Sequence, residues 1–189
     1  GCTMKKIKRF AALLLAGVLA LAVFTGCRQT DLSGKLEEKI TEVYAKALGV
    51  KAAEVHLSTE DAALNKSVLD MIGEDGVLTI GSDAGNFACS NFAVSFFHKA
   101  DRIERGLYHM VSSVVFANGE PTKEAGRTLV PVATLKPEQV QAILAGNISE
   151  LKIDKLNFSY TEKINGIGVS AKQLKDGTYC YVVTIDMVS

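Results

Sequence analysis

Apolar side chains return every third and fourth residue from Leu36 onward. Leu36, Ile40, Val43, Tyr44, Ala47 and Leu48 share one helical face, and Gly49 is placed to end the helix. A second helix is predicted from Ser58, where the hydroxyl is followed three residues later by Asp61. Leu64, Val68, Met71 and Ile72 form its apolar stripe and Gly73 its stop. Glu74-Asp75-Gly76 then turns the chain into a strand over Val77–Ile80, and residues 81–86 read as loop. The aromatic-rich stretch from Phe87 to Phe97 fits helix or strand, and the reading favours a helix over residues 90–104.

The second half carries shorter periods. Leu107 to Ala117 is a β-branched run ended by Asn118-Gly119, and Thr128 to Ala133 is expected to return beside it, with Pro131 making that partner an edge strand. Pro137 opens a helix with Val140, Ile143 and Leu144 inward and Gly146 at its close. Asn165-Gly166 and Asp176-Gly177 introduce two last strands. In the final one Tyr179, Tyr181, Val183, Ile185 and Met187 share a face, while Cys180, Val182 and Val188 make the other face apolar too. Such a strand is central, with helices on both sides. The expected fold is therefore α/β, a three-layer α-β-α sandwich with a mainly antiparallel central sheet.

Ahead of this body the pattern changes. Lys5, Lys6, Lys8 and Arg9 precede an apolar run from Phe10 to Phe24, the order of a signal peptide read from Met4, with Gly1-Cys2-Thr3 set aside. The run falls short of the roughly 20 apolar residues a spanning helix needs. Phe24-Thr25-Gly26-Cys27 resembles the lipobox of bacterial lipoprotein signal peptides, with Phe24 where Leu is usual. The resemblance implies cleavage before Cys27, acylation (palmitate) of its thiol, and attachment to the extracytoplasmic face of the cell membrane. The expected organisation is a leader over residues 1–26, a lipidated tether over 27–34 and a single globular α/β domain over 35–189.

Charge narrows the partners. The chain holds 21 basic and 21 acidic residues, and the leader contains four of the basic ones and no acid. Residues 28–189 thus carry 17 basic against 21 acidic groups, net −4. Phosphate binding needs a concentrated basic surface, so no nucleic-acid partner is expected.

Cysteine is sparse. Beyond Cys27 the body has Cys89 and Cys180, which an exported setting permits to pair and which equally fit as buried free thiols. In the middle of an apolar strand, Cys180 is expected to have a raised pKa and to be inert.

The candidate chemistry is thin. Gly166-Ile167-Gly168-Val169-Ser170-Ala171 fits the dinucleotide-binding glycine pattern, with Asp186 at the ribose-acid distance. That pattern must lead into a helix, and only six residues separate Ala171 from Thr178, so the glycines read as hairpin backbone and no cofactor is expected. His56, His98 and His109 lack metal-ligand spacing, and no metal site is assigned. Gly81-Ser82-Asp83-Ala84-Gly85 misses the nucleophile elbow by one residue. No catalytic residue is assigned.

From Leu135 to Met187 the order of segments is similar to the C-terminal third of bacterial CAP domains, the cysteine-rich secretory, antigen five and pathogenesis-related proteins. It runs from Lys136-Pro137-Glu138 through Leu156-Asn157-Phe158 and Gly166-Ile167-Gly168 to Asp176-Gly177-Thr178-Tyr179. The resemblance implies an α-β-α sandwich. Ala145-Gly146-Asn147-Ile148 stands where the family has Gly-His, and no Gly-Glu-Asn occurs, so no family site is carried over.

The leading expectation is a non-enzymatic, lipid-anchored domain that binds a protein, cell-wall or small-molecule partner. The alternative is a hydrolase for wall or peptide substrates that uses His98 or His109 with Glu104 or Glu120 at one cleft mouth. A solute receptor would need a two-lobed clamp that one domain of this size lacks.

Overall fold

The computed structural model describes residues 30–103, 106–151 and 163–188. The leader and Cys27 lie outside them. Helix α1 (Ser33–Ala47) buries Leu36, Ile40, Tyr44 and Ala45, and Gly49 leaves it at φ +80°. Helix α2 (Thr59–Asp70) follows a 3₁₀ turn (Ala52–Glu54). The Ser58 side chain accepts a hydrogen bond from the Asp61 N–H at 3.0 Å, the cap its sequence announced. Among the described residues no helix is long and apolar enough to cross a membrane.

The remaining chain is mostly strand: β1 (Val77–Ile80), β2 (Asn86–Cys89), β3 (Ala93–Arg102), β4 (Tyr108–Phe116), β5 (Thr122–Glu124), β6 (Arg127–Pro131), β7 (Lys163–Gln173) and β8 (Tyr179–Val188), with α3 (Pro137–Leu144) before β7. A five-stranded sheet has the order β2-β3-β4-β8-β7, and a three-stranded sheet the order β1-β6-β5. All the strand pairs are antiparallel.

This overturns the expected three-layer α-β-α sandwich. The protein is mostly antiparallel sheet, in two sheets, with three short helices. The helix expected over residues 90–104 is strand β3, whose Ala93–Phe96 alternate half-buried and buried with period two. Thr128–Ala133 does not return beside β4 as a strand. Residues Arg127–Pro131 pair with β1 and β5, and contact with the end of β4 is limited to a bridge between Ala117 and Val132. Pro131 therefore closes the central strand of the small sheet, opposite Val77, and not an edge strand.

Strand β8 lies inside the large sheet and is covered on both faces. Tyr179, Tyr181, Val183, Ile185 and Met187 pack with Leu36, Ile40 and Tyr44 of α1 and with Val140 and Ile143 of α3. Each fully buried Leu or Ile here contributes roughly 1.5–3 kcal/mol. Cys180 and Val182 face the other way, against Val68, Leu69 and Ile72 of α2 and the small sheet's Leu78, Ile80 and Val130.

Gly166 and Gly168 set how closely the chain before α2 approaches. A Cβ at Gly166 would lie 2.8 Å from the His56 carbonyl oxygen, and one at Gly168 would lie 2.6 Å from Leu57 Cδ1. The first obstacle is backbone, the second the end of a side chain that can turn away. Gly166→Ala is therefore expected to lower stability by about 1–3 kcal/mol, and Gly168→Ala by less. Urea unfolding of the two variants measures this, and equal costs would contradict the packing described.

Candidate functional site

The face of the large sheet beneath α2 is apolar at one end and polar at the other. The polar end is built from alternating positions. His109, Val111 and Ser113 of β4 and Thr184 and Asp186 of β8 point to the same side, and the first turns of α2 lower Asp61 and Asn65 onto them. A β-bulge between Phe97 and Lys99 turns His98 to this side as well, stacked on Phe96 with ring centroids 6.3 Å apart.

Two hydrogen-bonded chains result. In one, Asn65 Nδ2 donates to the Val182 carbonyl at 3.0 Å and to Thr184 Oγ1 at 2.7 Å. Thr184 and Ser113 hydroxyls meet at 2.5 Å, and Ser113 Oγ lies 2.8 Å from His98 Nε2. Running the protons from Thr184 to Ser113 to His98 gives both hydroxyl protons an acceptor and makes Nε2 the acceptor of a neutral ring. Burial favours that same neutral form, since it lowers the His98 pKa.

In the other chain His109 Nε2 lies 2.7 Å from Asp186 Oδ1, and Asp186 shares a hydrogen bond with Asp61. Asp61 is only 3 % exposed. Burial first, then the hydrogen bond and charge of Asp186, raise its pKa to about 6, against smaller opposing effects of Ser58 and Lys99. Asp61 therefore keeps a proton to share across the carboxyl pair up to about pH 6.

The sequence candidates fall differently from their expected grouping. His98 and His109 do share a face of the sheet. Glu120 is exposed beyond the far end of β4, more than about 20 Å along the strand from His109. Glu104 lies outside the described residues, as does Cys27. The acid that reaches a histidine is Asp186, considered in the sequence only as a ribose acid. Its signal is an acid set within an otherwise apolar strand. Asp61 and Asn65 had a signal too: at i and i+4 they continue the stripe of Leu69 and Ile72 with polar groups.

Cys89 and Cys180 are both free, one exposed on β2 and one buried on β8. Three strand spacings separate them, roughly 14 Å, against the 7 Å that a bridge tolerates. Burial pushes the Cys180 thiol up to about 11, which leaves it protonated and inert. Ser113, bonded to His98, is wholly buried and out of reach of any substrate. Among the described residues no cluster of three metal-ligating side chains forms.

A second feature lies at the β7 edge. There a cleft of about 610 Å³ opens between α1 and α2, with Ile167–Val169 at its back. A third feature is apolar. Phe97, Ile103, Leu107 and Tyr108 stay 36–52 % exposed along the β3–β4 hairpin, where neither α1 nor α3 covers the sheet.

Asp61 keeps its proton up to about pH 6 in the fold but only to 3.8 when unfolded. The folded state binds the extra proton between those values, so this residue's contribution falls as pH rises through them and stays unfavourable at neutral pH. Asp61→Asn, which still donates to Asp186, is expected to stabilise the protein by on the order of 1–3 kcal/mol near neutral pH and to flatten the pH 4–6 limb. Urea midpoints across that range test it. A variant no more stable than the parent near neutral pH would contradict the raised Asp61 pKa. Comparison with family models, characterised proteins and solved structures returns no match for this chain.

Proposed function

We propose that this chain is a lipid-anchored extracytoplasmic domain that binds a protein partner through the β3–β4 end of its large sheet. The observation that carries the reading is where the exposed apolar side chains lie relative to the acylation site. Leu32 N–H donates to the Tyr179 hydroxyl at 3.1 Å, at the start of β8. Five residues of chain join Leu32 to Cys27, a reach of at most about 18 Å. A lipid on Cys27 would be confined to within that reach of the Tyr179 end. The hairpin tip lies beyond Val188, which pairs with His109, so it stands roughly 30 Å up the strand from the anchored end.

An apolar patch at that distance faces away from the bilayer. It is also open: Phe97 and Tyr108 share a side of the strands with Ser95, Ser112 and Arg102, and Ile103 and Leu107 lie at the tip of the hairpin. Such a surface suits a protein, because small molecules are held in enclosing pockets.

The His109–Asp186 pair favours a second reading, hydrolysis at the same end of the molecule, since imidazole and carboxylate stand at general-base distance. His109→Gln separates the two. It is expected to leave partner binding unchanged, whereas an enzyme would lose its activity.

The test uses the full chain in a bacterial host that matures lipoproteins. Palmitate label and membrane association are expected in the wild type and lost in Cys27→Ser. With a photo-crosslinking phenylalanine analogue at Tyr108, one discrete adduct is expected, and none with the analogue at Lys175 in the exposed turn of the anchored end. Label retained by Cys27→Ser, or equal adducts at both positions, would refute the proposal.

A further inference from the structure

Strand β7 is an edge of the large sheet, and its outward backbone groups are only partly used. The Ile167 N–H donates to the Val55 carbonyl at 2.9 Å, and the Ala171 N–H donates to Glu37 Oε2 at 2.9 Å. Outward groups alternate with inward ones along a strand. The β7 bulge lies earlier, between Ile164 and Gly166, so the alternation from Ile167 to Gln173 is regular. Val169, midway between the two used positions, therefore directs its N–H and C=O outward. Neither has a partner among the described residues. Between them and solvent lies the 610 Å³ cleft.

The chain itself shows how this edge is filled. At His56 it runs parallel to β7 and bridges to Ile167, then leaves the edge at Ser58 to begin α2. The pairing stops one step short of Val169. Beyond that point the two helices stand apart on either side of the sheet's edge, and the gap is the cleft.

The walls specify chemistry. On the α1 side are Glu38 and Thr41, beside Glu37 whose carboxylate already holds Ala171. On the other side are Leu57, just before α2, and Ala62 and Asn65 of α2, a wall that is apolar apart from the Asn65 amide, whose N–H groups are engaged by the Val182 carbonyl and Thr184. Successive side chains of an extended segment point to opposite faces, so one residue would meet the acidic wall and the next the apolar one.

We propose that the β7 edge accepts an extended peptide as a sixth strand between α1 and α2, with alternating basic and aliphatic side chains. Main-chain bonds to Val169 supply affinity, and the two walls supply selectivity. The site is separate from the hairpin end, which lies across the sheet on β3 and β4.

The test is fluorescence anisotropy of the full lipidated chain in detergent with a fluorescein-labelled acetyl-Val-Lys-Val-Lys-Val-amide. Saturable binding below about 1 mM is expected, weakened about tenfold or more when Glu replaces Lys in the peptide. Val169→Pro removes the outward N–H without touching the β7–β8 ladder and is expected to weaken binding by a similar factor. Ala62→Trp plugs the cleft from an exposed helix position and decides the matter if the proline variant does not fold. Slowed hydrogen exchange at the Val169 amide on adding peptide is the accompanying signature. No saturable binding by the wild type, or equal binding by every variant that folds, would overturn the proposal. Crosslinking from Tyr108 is untouched by either result, so failure here and failure at the hairpin are told apart.

Discussion

A strand with apolar side chains on both faces has to be covered on both, and β8 imposes that demand on everything around it. Its odd-numbered residues from Tyr179 to Met187 draw α1 and α3 onto one side of the sheet. Cys180 and Val182 draw α2 and the small sheet onto the other. Past Val182 that second face turns polar, at Thr184 and Asp186, and the helix above it changes in step. The last turns of α2 present Val68, Leu69 and Ile72, and the first turns Asp61 and Asn65. One strand thus dictates the composition of a helix more than a hundred residues earlier in the chain.

The polar half of that face fixes register. A slip of β8 by one residue would move Thr184 and Asp186 into the core around Tyr181 and Phe116, and their partners Asn65 and His109 would be left unmet. Burying unpaired polar groups costs far more than the paired network contributes, so the network penalises the wrong pairing more than it stabilises the right one. Burial also acts on charge. It raises the Asp61 pKa and lowers that of His98, and both shifts favour the neutral form.

What was legible in the sequence was local. The spacing of Leu36, Ile40 and Tyr44, the cap at Ser58, Pro137 at the start of α3 and the Asp176-Gly177 turn each place an element through interactions within a few residues. What was not legible depends on distant partners. Residues 93–102 are strand because β4 and β2 lie beside them, not because Phe96-Phe97-His98 excludes a helix. The β5–β6 hairpin turns through Ala125 and Gly126 at φ +53° and +80°, and Ala at the first of these positions carries none of the usual turn signal. His109 and Asp186 are 77 residues apart, joined only by the neighbouring of β4 and β8. The glycines of β7 were readable as hairpin backbone, but their purpose was not. Only the approach of His56 and Leu57 shows why side chains are excluded there.

Sheet edges are hazards that folded proteins cover, because an open row of N–H and C=O groups pairs with any passing strand. The large sheet has two such edges. Strand β2 is only four residues long, a recognised way of limiting the risk. Strand β7 spans 11 residues and is protected instead by capping, with Val55 on Ile167 and Glu37 on Ala171. Of the three outward N–H groups between Ile167 and Ala171, only that of Val169 is left open, and it is the one set at the back of a cleft between two helices. An edge capped on either side of a lined slot is less open to a passing strand than a bare one. It has the geometry of an acceptor, in which the surroundings choose what pairs.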